Sequence, residues 1–167
     1  MIVAIATCCC LPFSDRSDTA FESFHVPLPH CSTLTFMSST NLAQIAAQLA
    51  SQNMRDRMLA LASLRDVPAV DAVPLIEQVL DDESLQVRSM AIFALGIKPT
   101  EKCYPILVRL LETDPDYKIR ADAAGALGYL EDPRAFEPLV RAFYEDTDWL
   151  VRFSAAVSLG NLKNPQA

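Results

Sequence analysis

The hydrophobic and polar positions of this chain repeat with a period of 32 residues. The segments that carry the repeat are VRSMAIFALG (87–96), IRADAAGALG (119–128) and VRFSAAVSLG (151–160). Each has arginine second, alanine fifth, leucine ninth and glycine last. The apolar positions within a segment lie three and four residues apart, which predicts an amphipathic helix. A period of this length indicates a protein built from stacked structural units.

A second apolar segment precedes each repeat segment, so each unit is predicted to be two antiparallel helices, A and then B. The predicted units span about 40–66, 67–98, 99–131 and 132–163. The first is degenerate: Arg57, Ala60 and Leu64 keep the offsets, but Arg65 replaces the glycine. Polar residues four positions before each later arginine are predicted to cap the B helices. These caps are Ser84, Asp116 and Asp148, and the residues after them, Leu85, Tyr117 and Trp149, are expected to pack at the helix start.

Residues 1–36 lack this periodicity. They hold both histidines, His25 and His30, and four of the five cysteines. A signal peptide and a lipoprotein cleavage site both need a longer apolar stretch than the first residues supply. A metal site is hard to build from three adjacent cysteines, because metal ligands are normally separated. Residues 1–36 are therefore interpreted as a disordered leader or a start-site artefact, and 37–167 as the repeat domain, with Ser39 or Thr40 capping its first helix.

Composition narrows the function classes. The net charge of −7 argues against nucleic acid and against an anionic membrane surface, since both need a basic face. No apolar run approaches the ~20 residues that a spanning helix needs. The lone thiol of the repeats, Cys103, suggests a reducing compartment, so a cytoplasmic protein is expected. No cofactor-binding or metal-binding motif is found in the repeats.

The acidic turn followed by V-R-x-x-A-x-x-x-L-G resembles HEAT repeats over residues 54–163. The short unit is similar to those of the phycobilisome lyase group, which includes cyanobacterial bilin lyase subunits and phycobilisome-degradation proteins. The resemblance implies an all-α solenoid, a right-handed superhelix of about four helix pairs, whose B helices line a concave partner-binding face. Another enzyme class built from HEAT repeats, the deoxyhypusine hydroxylases, holds di-iron with histidines, but no histidine follows His30 here.

Two sets of repeat residues are candidates for function. Variable B-helix positions are predicted to bind a partner, with three aromatic anchors and four neighbours: Phe93, Tyr129, Phe153, Ile97, Met90, Asp122 and Asn161. The alternative is that these rings are ordinary core. The repeat arginines are predicted to form a structural ladder with the aspartates six residues upstream, rather than an anion site. The ladder residues are Arg88, Arg120, Arg152, Asp82, Asp114 and Asp146.

These observations favour a non-catalytic scaffold or adaptor, and the resemblance implies a phycobiliprotein or another phycobilisome component as its partner. The alternative is a subunit of a bilin lyase that attaches or removes a phycobilin, the one cofactor that this alternative would require. A further hypothesis is homo- or hetero-oligomerisation through the C-terminal unit. Exposure of Phe136, Phe143 or Leu162 at its end would give an apolar surface that favours association.

Overall fold

The structure is a computed structural model that describes residues 36–162, with side chains from residue 41 onward. The interpretation of residues 1–36 as a leader, and its alternatives, concern residues outside the described part except for Phe36, which lies in α1. The described part contains eight α-helices, two 3-10 turns (Leu64–Asp66 and Pro133–Ala135) and no strand. The helices are α1 (Phe36–Leu49), α2 (Met54–Ser63), α3 (Ala69–Glu77), α4 (Leu85–Gly96), α5 (Cys103–Thr113), α6 (Tyr117–Leu130), α7 (Phe136–Glu145) and α8 (Trp149–Asn161).

The helices form four consecutive pairs. In each pair the A helix packs on the B helix that follows it: α1 on α2, α3 on α4, α5 on α6 and α7 on α8. The B helices form one continuous row, in which α2 contacts α4, α4 contacts α6 and α6 contacts α8. The all-α solenoid expected from the 32-residue period is therefore confirmed. No helix within residues 36–162 is long and apolar enough to cross a membrane.

The repeated apolar residues form the core between the two layers. Val87, Ile119 and Val151 are at most 1% exposed, because they point from the B helix toward its A helix. The alanines at the repeated position, Ala91, Ala123 and Ala155, are completely buried. These three units thus keep a small side chain, as well as an apolar one, at this buried position.

The starts of the helices agree with the predicted caps in two of three later units. Asp116 accepts a hydrogen bond from the backbone N of Lys118 (2.9 Å), and Asp148 accepts one from Leu150 (2.8 Å). Ser84 makes no side-chain cap; its hydroxyl instead contacts Met54 Sδ at 3.0 Å. The predicted cap of the first helix is wrong, because α1 begins at Phe36 and both candidate residues fall inside it.

Glycine sets the spacing of the B helices. A Cβ built on Gly96 would lie 2.9 Å from Ala126 Cα, and one on Gly128 would lie 2.6 Å from Ser158 Oγ. Contacts between consecutive A helices are sparser than those between B helices. The B helices therefore form the more closely packed layer of the stack.

Candidate partner-binding face

The three predicted anchors are exposed on the B helices rather than buried in the core. Phe93 on α4 is 52% exposed, Tyr129 on α6 is 59% exposed and Phe153 on α8 is 60% exposed. Phe93 and Tyr129 meet edge to face, with ring centroids 5.8 Å apart and planes at 84°. Partial exposure of one ring on each of three consecutive helices is the feature expected of a binding surface, since core rings would be covered.

Phe93 and Met90 form a ridge between two pockets. On one side lies a pocket of about 240 Å³ between α2 and α4, with the apolar side chains of Leu61, Leu64 and Ile97 in its wall. On the other side a broader, shallower pocket of about 500 Å³ lies between α4 and α6 and includes Asp122. A ring flanked by two concavities gives a partner side chain a place on either side of it.

Asp122 is half-buried beside this ridge. Its carboxylate accepts a hydrogen bond from the Ser89 hydroxyl, which joins α6 to α4. Burial raises the pKa of Asp122, although the hydrogen bond from Ser89 opposes the shift. Asp122 therefore helps to hold two B helices together in addition to lining the face.

The other predicted positions are distributed along the same face. Ile97 is partly exposed and lines the smaller pocket, and Asn161 is exposed near the end of α8. Trp149 differs from its expected packing role: it is 67% exposed at the start of α8. At the C-terminal unit Phe143 is partly exposed, whereas Leu162 is buried and Phe136 is half-buried.

Sequence reasoning missed Lys98, a buried cation at the rim of the smaller pocket. Its ammonium donates hydrogen bonds to the carbonyl oxygens of Arg65 (2.6 Å) and Val67 (2.5 Å). It thereby ties the end of the second unit to the turn that follows α2. The signal was present in the repeat, because Leu130 and Leu162 occupy the same position in later units. A lysine at a position that is otherwise leucine indicated a separate role.

The repeat arginines each bind the turn that precedes their own helix, but through its main chain. Arg88 Nη1 donates to the carbonyl oxygen of Asp82, Arg120 Nη1 to that of Asp114 and Arg152 Nη1 to that of Asp146, each at 3.0 Å. The expected pairing with the carboxylate six residues upstream is thus replaced by a bond to its backbone. The carboxylates themselves accept from the backbone N two residues on, at 2.8 Å in each of the three later units.

Two arginines reach across to the aspartate of the next unit. Arg57 pairs with Asp82 at 2.7 Å, and Arg120 pairs with Asp146 at 2.8 Å through Nε and at 3.0 Å through Nη2. The hydrogen bond from Arg120 lowers the pKa of Asp146, against the opposing effect of burial. These bridges connect adjacent units in the way a ladder requires.

The rung between the second and third units is missing. Arg88 has a buried Nε without a hydrogen-bond partner, and no ion pair joins it to Asp114 within the described residues. The hydrogen bond from Ser89 to Asp122 joins these two units instead.

Comparison with known proteins identifies the repeat. The family model described as HEAT repeats matches residues 41–128 and 104–167. These matches together cover more than half of the sequence. The chain belongs to the HEAT-repeat family. No curated protein sequence gives a significant match.

Solved structures with the same HEAT architecture include two enzymes. Human deoxyhypusine hydroxylase in complex with glycerol has 25% identity and a TM-score of 0.69, over 77% of this chain and 45% of that one. The complex of CpcE and CpcF of phycocyanin lyase from Nostoc sp. PCC7120 has 25% identity and a TM-score of 0.59, over 74% of this chain and 78% of that one. The chain thus spans less than half of the hydroxylase. The predicted resemblance to HEAT repeats and to the lyase group is confirmed.

Residues 36–162 contain carboxylates and one thiol, that of Cys103, but no histidine. No set of three or more histidine, cysteine or acidic side chains there is placed to hold a metal ion. Cys103 is fully buried at the start of α5, where its thiol donates to the carbonyl oxygen of Lys98 (3.0 Å). A thiol in that position is covered from solvent and packs as a small apolar side chain.

Proposed function

We propose that this HEAT-repeat protein is a non-catalytic scaffold that binds a partner protein on the inner face of its B helices. The observation that carries the proposal is the exposure of Phe93, Tyr129 and Phe153 on consecutive helices, beside an apolar pocket. Aromatic side chains that are already rigid and half-desolvated gain most when a partner covers them, so they dominate binding energies. The scaffold positions repeat from unit to unit, whereas these anchor positions vary and so distinguish one partner from another.

The partner class in this proposal is a phycobiliprotein or another phycobilisome component, and the setting is the cytoplasm of a cyanobacterium. The likeness to the CpcE and CpcF complex of phycocyanin lyase supports this class. The two concavities beside Phe93 suit apolar side chains of a helical partner, and the exposed Arg65 at the rim suits an acidic group beside them.

The second candidate is a subunit of a bilin lyase that attaches or removes a phycobilin. The same structural likeness favours it. In that case the apolar ridge at Phe93 and the pockets beside it would orient the chromophore, while the acceptor protein would supply the cysteine nucleophile. A hydroxylase-type di-iron site is disfavoured as a third candidate, because no histidine follows His30.

The proposal is tested by direct binding to purified phycocyanin, with and without its chromophore. The test variant changes Phe93, Tyr129 and Phe153 to Ala. A matched control changes Val70 and Tyr144, exposed apolar residues of the A helices α3 and α7, to Ala. We expect about tenfold or greater loss of affinity in the test variant and little change in the control. Equal binding by both variants, or no binding by the unaltered protein, would refute the proposal.

The lyase alternative has its own signature in the same experiment. Free phycobilin is mixed with the protein, and its visible absorption spectrum is followed. A shifted spectrum that depends on the three aromatic residues favours the lyase alternative. An unchanged spectrum, together with retained binding of the protein partner, favours the scaffold.

A further inference from the structure

The smaller pocket, between α2 and α4, combines apolar walls with positive charge. Its volume is about 240 Å³, and Leu61, Leu64 and Ile97 contribute apolar side chains to its walls. The two charged residues in its lining, Arg65 and Lys98, are both basic, although the chain as a whole carries a net charge of −7. The walls of this pocket therefore hold a positive charge that they do not neutralise.

Other pockets in the described part combine basic with acidic side chains. The broader pocket between α4 and α6 contains Asp122 as well as Lys118. A pocket between α5 and α7 contains Glu112 and Arg141, which form an ion pair at 3.1 Å. The uncompensated positive charge thus belongs to the smaller pocket in particular and is not general to the surface of residues 41–162.

Lys98 is the deeper of the two cations, since it is only 9% exposed whereas Arg65 is exposed. Two of its three ammonium N–H groups donate to the carbonyl oxygens of Arg65 and Val67. Within residues 41–162 the third N–H has no acceptor, and the ammonium makes no ion pair. Carbonyl oxygens accept hydrogen bonds but do not neutralise a charge, and buried charges are normally paired. Lys98 is thus prepared to receive an anion.

The size of the pocket indicates how much apolar material should accompany that anion. At about 30 Å³ for a water-sized group, 240 Å³ holds about eight such groups, which is a carboxylate with about seven carbons. An aspartate or glutamate side chain brings only one or two methylenes with its carboxylate, and a leucine or phenylalanine side chain brings no charge. A single side chain, of this chain or of a partner, therefore supplies one of the two features without the other.

The chemistry of the walls also disfavours the C-terminal residue of a peptide. Leu61 and Ala94 lie inside α2 and α4, where the backbone N–H groups are bonded within the helix. The carbonyl oxygens of Arg65 and Val67 already accept from Lys98. Sites that capture a chain terminus use free backbone groups to bind the peptide's amides. These walls suit a molecule without amide groups.

We propose that the smaller pocket binds a small-molecule monocarboxylate with an apolar body of about seven carbons. The carboxylate accepts the third N–H of Lys98, and the exposed Arg65 attracts it to the rim. The hydrocarbon packs against Leu61, Leu64 and Ile97. This site does not depend on the partner protein proposed above, although Phe93 belongs both to the lining of the pocket and to the aromatic anchors.

The first test titrates sodium octanoate into the full chain and follows binding by isothermal titration calorimetry. Two compounds of the same chain length are the controls: 1-octanol, which is neutral, and octylammonium, which has the opposite charge. We expect a Kd below about 1 mM for octanoate and at least about tenfold weaker binding of both controls. No binding of octanoate, or similar affinities for all three compounds, overturns the proposal.

The Lys98→Met variant asks whether the ammonium receives the carboxylate. Methionine keeps an unbranched side chain without the charge, and Leu130 and Leu162 show that an apolar residue is accommodated at this repeat position. We expect the affinity for octanoate to fall by about tenfold or more and that for 1-octanol to stay within about twofold. An unaltered affinity for octanoate overturns the proposal, because a purely structural lysine would give that result.

A second variant blocks the pocket and leaves Lys98 in place. Ala62 is exposed on α2 and lines the pocket, so Ala62→Phe places a ring in it without disturbing the core. Ala156→Phe, at an exposed alanine of α8, is the matched control. We expect Ala62→Phe to abolish octanoate binding and Ala156→Phe to leave it within about twofold. Equal binding by both folded variants places octanoate elsewhere on the surface and overturns the proposal.

A short peptide that ends in leucine with a free carboxylate distinguishes the source of the anion. It is titrated into the full chain under the same conditions as octanoate. Weaker binding of the peptide supports the small-molecule site. Equal or tighter binding that is lost when the peptide carboxylate is amidated assigns the pocket to a chain terminus and overturns the proposal.

Discussion

At the scale of single residues, small side chains decide how close the units lie. Gly96 and Gly128 adopt ordinary helical conformations, so the reason for glycine is space and not backbone freedom. Gly160 shares their position without sharing their neighbour. A side chain larger than hydrogen at this repeat position is therefore excluded at Gly96 and Gly128 but not at Gly160.

Substitution of these glycines by alanine is expected to separate the two cases. Gly96→Ala should destabilise the fold by about 1–3 kcal/mol, because the added Cβ would lie 2.9 Å from the Ala126 backbone. Gly160→Ala should be neutral or stabilise by up to about 1 kcal/mol, since alanine favours the helix. Urea denaturation measures both. Equal effects of the two variants would contradict this account of the spacing.

Asp122 is expected to make stability depend on pH in the unusual direction for a carboxyl group. Burial raises its pKa in the folded state above the ordinary value of an aspartate. Its contribution thus falls as the pH rises through the interval between the unfolded and folded values. Asp122→Asn keeps an acceptor for Ser89 but cannot ionise. Relative to the parent, the variant should gain stability from pH 4 to pH 7, as followed by urea denaturation at both pH values; an unchanged difference would contradict the prediction.

At the scale of helices, the acidic turn between each A and B helix has two uses. Its carbonyl oxygen receives the arginine of its own unit, and its carboxylate, oriented by the backbone N two residues on, receives the arginine of the preceding unit. One aspartate thereby fixes both the turn and the next interface. Where the second contact is missing, between Arg88 and Asp114, a side-chain bond between α4 and α6 joins the units.

Removal of one rung is expected to cost more than removal of a surface ion pair. Asp146→Asn should destabilise the fold by about 2 kcal/mol at pH 7, because the nearly buried Arg120 loses a charged acceptor. Glu112→Gln, which removes the exposed pair with Arg141, should cost less than about 1 kcal/mol. Chemical denaturation of both variants tests the difference, and a similar loss in both would exclude a special role for the rung.

The pH dependence of the same rung follows from the direction of the shift. The hydrogen bond from Arg120 lowers the folded-state pKa of Asp146 below the ordinary value of an aspartate. The rung's contribution is therefore complete above the unfolded value and is lost as the pH falls through the folded one. The cost of Asp146→Asn should shrink as denaturation is repeated from pH 7 to pH 3. A cost that is constant with pH would show that the carboxylate charge contributes nothing.

At the scale of the whole molecule, the units form a row in which each contacts only its neighbours. Stability in such a row is a sum over units and interfaces, so units with one neighbour are weaker than units with two. Helices α4 and α6 each pack against two B helices, whereas among residues 36–162 α8 packs against one B helix, α6. The distribution of stability should thus follow position in the row.

Hydrogen exchange is expected to reveal this gradient. Backbone amides of α4 and α6 should exchange more slowly than those of α8, by about one order of magnitude or more, because α8 can open without disturbing a further unit. Mass spectrometry of peptides from each helix measures the rates. Uniform protection across all three helices would contradict the description of stability as a sum over units and the interfaces between neighbours.

The sequence by itself determined the period, the helix pairs and the buried stripe. Each of these predictions depends only on the spacing of residues along the chain. Val87, Ala91 and Leu95, for example, are four residues apart, and helix geometry alone places such residues on one face. The repeat also drew attention to Asp82, Arg120 and Asp146, which form ion pairs between units, but it did not show that Arg57 is the partner of Asp82 or that Arg88 has none among the described residues. Lys98 stands out in the sequence as an exception to the repeat. Its hydrogen bonds to the carbonyl oxygens of Arg65 and Val67, however, do not follow from that exception.

The tertiary structure alone decided which partner each repeated residue meets. Arg120 contacts the carbonyl oxygen of one aspartate and the carboxylate of another 26 residues away, and no periodicity distinguishes these options. Phe93 and Ile92 are adjacent and equally apolar, yet one is half exposed and the other fully buried. The distances between helices, and the open space at Gly160, arise from packing across units. Sequence spacing fixes faces of helices; contact between faces depends on how the helices stack.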